Sequence, residues 1–363
     1  MVKQKSKLMK SGSEGCIFIP ELPCNKKTKR KRRKTKRKKR KSKLLFGNIP
    51  SSETKMAKVI LKKSKNYKEW CLLWDDDCQS KSYQKLKQVS EVEKCFTEKK
   101  KKIPKKTASF KLLHGDYIGT TSTNHYVKIF NASLVKDFNR FKREFYKLML
   151  DMKSLFMGLV ELHRLGICHN DIKLENVIYK DNVLYYIDFG LSLFFKTSRV
   201  ILSRMKKEYN NGRIYESYPF EYIYYPKLTE EELQQEQYDI LNKDHRVNHK
   251  ICEYIHEKVF GRDLADIRTK LLINKKYNKN TPKLTGLVEK IDVYSLGVFP
   301  IMVLIEACDI NVIDFEQIAD FLRHEEFNPI MTLLYDMTEH DYRDRISAEE
   351  AYRRYINLIS LFD

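Results

Sequence analysis

The sequence predicts an α+β fold, with strands concentrated in its first part and helices beyond. Three observations carry that prediction. The short apolar runs Ile17-Phe18-Ile19 and Met56-Ala57-Lys58-Val59-Ile60-Leu61 read as strands. Phe145, Leu148, Met149, Met152, Leu155, Phe156, Leu159 and Val160 recur at helical spacing on one face of a long buried helix. Gly166, which tolerates positive φ, ends that helix. Val177 to Tyr179 and Val183 to Ile187, joined across Lys180-Asp181-Asn182, read as a hairpin with turn-favouring Asp and Asn.

At 363 residues the chain accommodates two ordinary domains or one bilobal unit. Its formal charge of +22 is unevenly spread: fifteen of the eighteen residues from Lys26 to Lys43 are Lys or Arg, and Lys99 to Lys102 with Lys105 and Lys106 supply six more positive charges, so the rest is close to neutral. The run has no hydrophobic period and repels itself, which predicts a disordered, solvated insertion over 26–43. A solubilising loop, a nuclear-import signal and a polyanion-binding loop are the readings open to it. No aromatic side chain interleaves the charges, so nothing in it reads bases. Eight cysteines without a C-x-x-C pair or a zinc-like His/Cys spacing predict reduced thiols and an intracellular protein. The charged start, Met1 to Lys10, is not followed by the apolar stretch of a secretory signal. Leu296 to Ile305, the most apolar segment, is about half a bilayer span and reads as a buried helix, so no membrane span is expected.

In chain order, Gly12 and Gly15 come first, three apart and leading into Ile17. They let backbone amides approach a phosphate with no Cβ in the way. Tyr83, Leu86, Val89, Val92 and Phe96 fit a helix carrying Glu91 and Glu93. Tyr126 to Phe130 reads as a strand. The long helix then delivers the chain to His169-Asn170-Asp171-Ile172-Lys173-Leu174-Glu175-Asn176, and the hairpin folds Asp188-Phe189-Gly190 back beside Asn176. A carboxylate, an ammonium and a carboxamide within six residues, with a second carboxylate at a strand end, position a hydroxyl, a phosphate and a divalent metal together. Asp171 is the candidate base, Lys173 neutralises transferring oxygens, and Asn176 and Asp188 are oxygen ligands for Mg²⁺.

These segments resemble the catalytic loop H-R-D-L-x-x-x-N and the D-F-G motif of the protein kinase family, with Asn170 in place of the Arg. The resemblance implies a protein-kinase-like bilobal fold. The N-lobe, 1–130, is small, β-rich and nucleotide-binding; the C-lobe, 131–363, is larger, mainly helical and catalytic. It further implies ATP with Mg²⁺ (Mn²⁺ as the alternative), and protein substrates, basic or nucleic-acid-associated ones among them. Gly12, Gly15 and Ile17 are similar to the back half of the Gly-rich loop. Lys58 matches the phosphate-binding lysine of the V-A-I-K strand, with Glu69, Glu91 or Glu93 as its partner. His169 then supports the loop structurally. Tyr218-Pro219-Phe220-Glu221 resembles A-P-E, and Asp188 to Glu221 the activation segment, with Thr197, Ser198 and Ser203 as phosphorylation candidates. Asp292, in Asp292-Val293-Tyr294-Ser295-Leu296-Gly297, resembles the aspartate that braces the catalytic loop, and Arg345 the arginine that pairs with Glu221. Lys173, two after the base, points to serine/threonine substrates. Asn170 removes the cation that clamps a phosphorylated segment, so activation is not expected to depend on that clamp. The His-Asn-Asp loop and Pro-Phe-Glu ending look similar to kinases of large nucleocytoplasmic DNA viruses, which implies host cytoplasm, nucleus or virion as the setting. The rival from another class is a pseudokinase scaffold or polyanion-binding protein acting through its basic loop. It predicts damage at Asp171, Lys173, Asn176 or Asp188, and all four are intact.

Overall fold

A computed structural model describes residues 5–11, 15–25, 40–46, 52–74, 76–116, 120–131, 136–211, 215–224, 255–263, 284–311 and 314–362. Two compact units divide the chain: 1–57 with 73–119, and 58–72 with 120–363. Residues 58–72 and 120–130, assigned from sequence to the first lobe, cluster with the second unit.

The first unit is built on a five-stranded antiparallel sheet of order β1-β2-β3-β5-β4, from β1 (Lys7–Ser11), β2 (Gly15–Ile19), β3 (Arg40–Leu45), β4 (Asp76–Gln79) and β5 (Lys111–Asp116). Helices α2 (Tyr83–Val89) and α3 (Val92–Glu98) bury Tyr83, Leu86, Val92, Cys95 and Phe96 against Cys16, Phe18, Leu44 and Leu112 of the sheet. The single helix expected over Tyr83 to Phe96 is interrupted at Ser90, whose extended backbone ends α2 and whose hydroxyl donates to Leu86 O. Two disulfides, Cys16–Cys95 and Cys24–Cys78, tie this unit, in place of the expected thiols. Their partners lie 79 and 54 residues apart, so sequence spacing carried no sign of them.

Two strand expectations give way to helices. Met56 to Leu61 belongs to α1 (Ser52–Lys63), in which Met56, Ala57 and Ile60 are buried and Lys58 is exposed. One-sided burial at i, i+1 and i+4 is a helical face that a continuous apolar run disguises. Tyr126 to Phe130 lies in and just after α4 (Ser122–Ile129), whose N-terminus is capped by Thr121, its hydroxyl accepting from Asn124 N.

The second unit is mostly helical. The apolar stripe from Phe145 onward spans α5 (Phe138–Asp151) and α6 (Lys153–Arg164), joined at Met152, and Gly166 follows at φ +67°. A second helical core surrounds α9 (Leu284–Asn311), which packs on α4, α6 and the helix Asn328–Met337. Helix α9 has the length and apolarity of a bilayer span over Thr285–Ile310, yet 94% of its most apolar window is buried within the unit. It contains Gly297, where a Cβ would approach Met337 Cβ and Thr338 Cγ2 to 2.8 Å. A five-stranded sheet in the first unit and a mostly helical second unit form an α+β architecture consistent with a bilobal kinase-like fold.

Candidate functional site

The loop after α6 is fixed by its backbone. Strand β7 (Ile167–Cys168) pairs with β10 (Leu193–Phe194). The next two amides, of His169 and Asn170, donate to the two carboxylate oxygens of Asp292 on α9, at 2.5 and 2.8 Å. Burial raises the Asp292 carboxyl above the ordinary range, against the stabilising charge of His169 and the two amides. The His169 ring donates through Nε2 to Ile187 O (3.0 Å) and lies against Phe189, which ties the loop to the residues flanking Asp188. Cys168 is fully buried, and burial pushes its thiol up, so it is a packing residue and not a nucleophile.

Asn170 sits at φ +61°, in the left-handed region that asparagine tolerates better than most side chains. Its Oδ1 accepts from Tyr222 OH at 2.5 Å. Arg204, on α7 (Arg199–Asn210), donates to Asn170 O (3.2 Å) and to Leu191 O (2.8 Å), joining the loop to the stretch after Gly190. Tyr222 and Arg204 were both missed from sequence. A tyrosine after Pro-Phe-Glu and a lysine-rich helix carry no local signal of this contact.

Asp171 is buried, and Asn176 Nδ2 donates to its Oδ2 (2.7 Å) and to its backbone oxygen (2.9 Å). Lys173 Nζ stands 3.2 Å from Asp171 Oδ1, close enough for ion pairing without the alignment of a hydrogen bond. It also lies 4.9 Å from the centre of the Tyr215 ring. The Lys173 ammonium is raised: burial opposes its charge, but Asp171 and Glu175 outweigh that. The expected hairpin is present as β8 (Val177–Lys180) and β9 (Val183–Tyr186), with Asp181 and Asn182 both at positive φ, the conformation that a type I′ turn needs. Ile187 N donates to Asn176 O (3.0 Å), so the hairpin returns the chain to Asn176 immediately before Asp188. Asp188 itself is left-handed, φ +60°, with Oδ1 accepting from Gly190 N. An amide oxygen and a carboxylate on adjoining segments form a hard donor set that suits Mg²⁺.

Downstream, α8 (Glu221–Tyr224) begins with Glu221, whose two oxygens accept from Arg345 Nη2 at 3.0 and 3.1 Å. The guanidinium also donates to Glu339 O (2.9 Å) and Lys290 O (3.0 Å) and covers the Tyr294 ring. Burial raises the Glu221 carboxyl although Arg345 pulls it down. Of the phosphorylation candidates, Ser198 is buried, Thr197 donates to Phe194 O, and Ser203 is exposed on α7.

The expected lysine is displaced. Lys58 projects from an exposed helical position, Glu69 is exposed, Glu91 accepts from Leu8 N, and Glu93 pairs with Lys87. The buried pair is Lys43 on β3 with Glu53 on α1, Nζ to Oε2 at 2.7 Å, and the other oxygen of Glu53 accepts from Trp74 Nε1 at 2.6 Å. By sequence Lys43 is the last residue of the basic run expected to be solvated. Residues 26–39 lie outside the described residues, but 40–43 form strand β3, with Ser42 and Lys43 buried. The available signal was Leu44-Leu45-Phe46 directly after Lys43, an apolar run whose charged neighbours masked it as a strand. Gly12 lies outside the described residues. Gly15 is in β2, where a Cβ would fall 1.9 Å from Leu44 O, so strand β3 alone requires glycine there; Ile17, half-buried, pairs with Lys10 and Lys43 in the sheet.

No protein-family model matches the chain. Over 157 residues it is 29% identical to the probable serine/threonine-protein kinase fnkB of Dictyostelium discoideum, a stretch that makes up 43% of this chain and 24% of that protein. The matched stretch thus spans about a quarter of the relative's length. What the match supports is a kinase-like chain.

Proposed function

We propose that the protein is an ATP-dependent serine/threonine protein kinase that transfers the γ-phosphoryl group to protein hydroxyls. The observation that carries the reading is the Asp171–Asn176 pair. The amide nitrogen of Asn176 is committed to Asp171, which holds the carboxylate still and leaves Asn176 Oδ1 as an oxygen donor on the segment adjoining Asp188. Asp171 orients the acceptor hydroxyl and takes its proton. Lys173 offsets negative charge on the transferred group. Asn176 and Asp188 would hold Mg²⁺ (or Mn²⁺), which neutralises the nucleotide phosphates when bound. In this reading Lys43, fixed by Glu53, takes the phosphate-contacting role first assigned to Lys58. Gly12, Gly15 and Ile17 belong to the nucleotide loop, and residues 26–39 supply a contact for polyanions or an import signal. An intracellular setting, and the affinity with kinases of large DNA viruses, are parts of the same proposal.

Asn170 and its neighbours shape the regulation. Where a phosphate clamp would need a cation, Tyr222 and Arg204 hold the loop through uncharged acceptors. Activity therefore does not require a phosphorylated activation segment, and phosphatase treatment leaves it unchanged. The test of the function is ATP-dependent labelling of a protein substrate by wild type and by Asp171→Ala, with phosphoamino-acid analysis. Phosphoserine or phosphothreonine from wild type alone is expected. Labelling by neither protein would leave the fold as a scaffold, and equal labelling by both would remove Asp171 from the chemistry.

A further inference from the structure

Cys24, Cys78 and His114 come from three segments of the first unit: the chain after β2, strand β4 and strand β5. Their ligand atoms lie within 4.8 Å of one another, the one such His/Cys/Asp/Glu group among the described residues. Both sulfurs converge on a single ring nitrogen, His114 Nε2, at 3.4 Å from Cys24 Sγ and 3.2 Å from Cys78 Sγ. In tetrahedral zinc with Zn–S of about 2.3 Å and Zn–N of about 2.0 Å, a sulfur and a nitrogen ligand stand about 3.5 Å apart. The two sulfur-to-nitrogen spacings are therefore close to those of a ligand set, while the two sulfurs, bonded to each other here, must part to about 3.8 Å to share an ion. The other ring nitrogen, Nδ1, is 3.2 Å from Glu21 Oε2, and Arg40 Nε donates to that same oxygen at 2.9 Å. This is a charge contact without hydrogen-bond alignment, and a carboxylate so close to Nδ1 still favours the tautomer with the proton there, which turns the lone pair of Nε2 toward the sulfurs. A carboxylate behind a ligating imidazole is the usual support of a zinc-bound histidine.

We propose that the reduced chain binds one Zn²⁺ through Cys24, Cys78 and His114, with Glu21 orienting the imidazole and water as the fourth ligand. The disulfide and the metal are alternative states of one sulfur pair. A dithiol reductant converts Cys24–Cys78 to two thiols and is itself oxidised to its cyclic disulfide. Zn²⁺ then displaces both thiol protons to solvent and accepts two thiolate electron pairs and one from neutral Nε2. The Cα atoms of the two cysteines are 5.9 Å apart, so the sulfurs open around an ion by side-chain rotation. Both cysteines are half-buried, which leaves a solvent route for the ion, whereas Cys16 and Cys95 are fully buried. Position decides why the sequence did not show this: β4 and β5 bring Cys78 and His114 together across 36 residues with no short-range spacing motif.

The test uses the full-length protein, reduced with a dithiol, freed of reductant without air and titrated with zinc alone or cobalt alone. One equivalent of zinc is expected, and the cobalt form shows thiolate-to-metal charge transfer with the visible bands of a tetrahedral site. Cys24→Ser and Cys78→Ser weaken the charge-transfer band and lower affinity, and Glu21→Gln lowers zinc affinity about 10- to 100-fold. Cys71→Ser, outside the site, binds as wild type. Mapping on the unaltered chain removes dependence on variant folding: zinc slows maleimide alkylation of Cys24 and Cys78 in reduced wild type but not of Cys16 or Cys95. Substoichiometric zinc in the reduced chain, or alkylation of Cys24 and Cys78 unaffected by zinc, overturns the proposal. Neither readout involves phosphotransfer, so the result stands apart from the kinase reading.

Discussion

The Arg345–Glu221 pair offers the sharpest quantitative test of how the second unit is held together. Both side chains are fully buried, at 0% and 1% exposure, and the guanidinium donates to four oxygens fixed in place by the fold: two from Glu221, one from Glu339 and one from Lys290. Removing one member of such a pair leaves the other as an uncompensated buried charge, at a cost of about 3–5 kcal/mol. Glu221→Gln keeps the volume and strands the guanidinium, so a loss of about 3 kcal/mol is expected. Arg345→Met also strands the Glu339 and Lys290 carbonyls, each adding roughly 1 kcal/mol or more, so about 5 kcal/mol is expected. The double variant has no unpaired charge, and its loss falls short of the sum of the singles by about 2–3 kcal/mol. Urea unfolding of all four proteins at low temperature, followed by far-ultraviolet circular dichroism, measures the cycle. A surface-like pair contributes no more than about 1 kcal/mol. Single losses of that size that simply add would refute the view that this ion pair anchors the start of α8 to the rest of the unit.

Three further outcomes follow from the site. Lys43→Met lowers phosphotransfer about 100-fold and raises the apparent KM for ATP, whereas Lys58→Met, on an exposed helical position, leaves both near wild type; the reverse pattern in a steady-state assay would restore the sequence-based assignment. Gly158→Ala places a methyl group 2.9 Å from Trp70 Cε3 and 3.0 Å from Tyr186 Cε2, and is expected to lower stability by about 1–3 kcal/mol in thermal melts; a neutral result would show that the indole can retreat. The raised carboxyl of Asp292 means that the folded state binds its proton more tightly than the unfolded state does. Its contribution to stability is therefore full below the ordinary aspartate value of 3.8 and is lost as pH rises through the raised one. The unfolding free energy of wild type minus that of Asp292→Asn should grow as pH is lowered from about 7 to about 4, and a difference that shrinks over that range would contradict the sign.

What was legible in the sequence, and what was not, divides along the physics of the signal. The segment from α6 to Asp188 was legible because each step is local. An apolar stripe makes the helix, a glycine ends it, and Asp181-Asn182 makes the turn that returns the chain to Asn176. Asp292 and Arg345 needed more than locality, and the family resemblance supplied their partners, which the geometry places on the His169 and Asn170 amides and on Glu221. The first unit was read poorly for the converse reason: its informative contacts are long-range and its composition misleads. Lys43 is one of fifteen cations in eighteen residues, and only the ladder of β3 against β2 and β5 shows that its segment turns inward. A charge run predicts solvation only while no partner is in reach. Once Glu53 and Trp74 meet at the same place, one lysine of the run is buried against them, and the apolar run at Lys58 is left to form the helix that carries Glu53. The same reasoning covers Cys24, Cys78 and His114, each unremarkable in sequence and adjacent only after β4 and β5 pair. In both cases the chemistry resides in sheet register, which composition and periodicity do not encode.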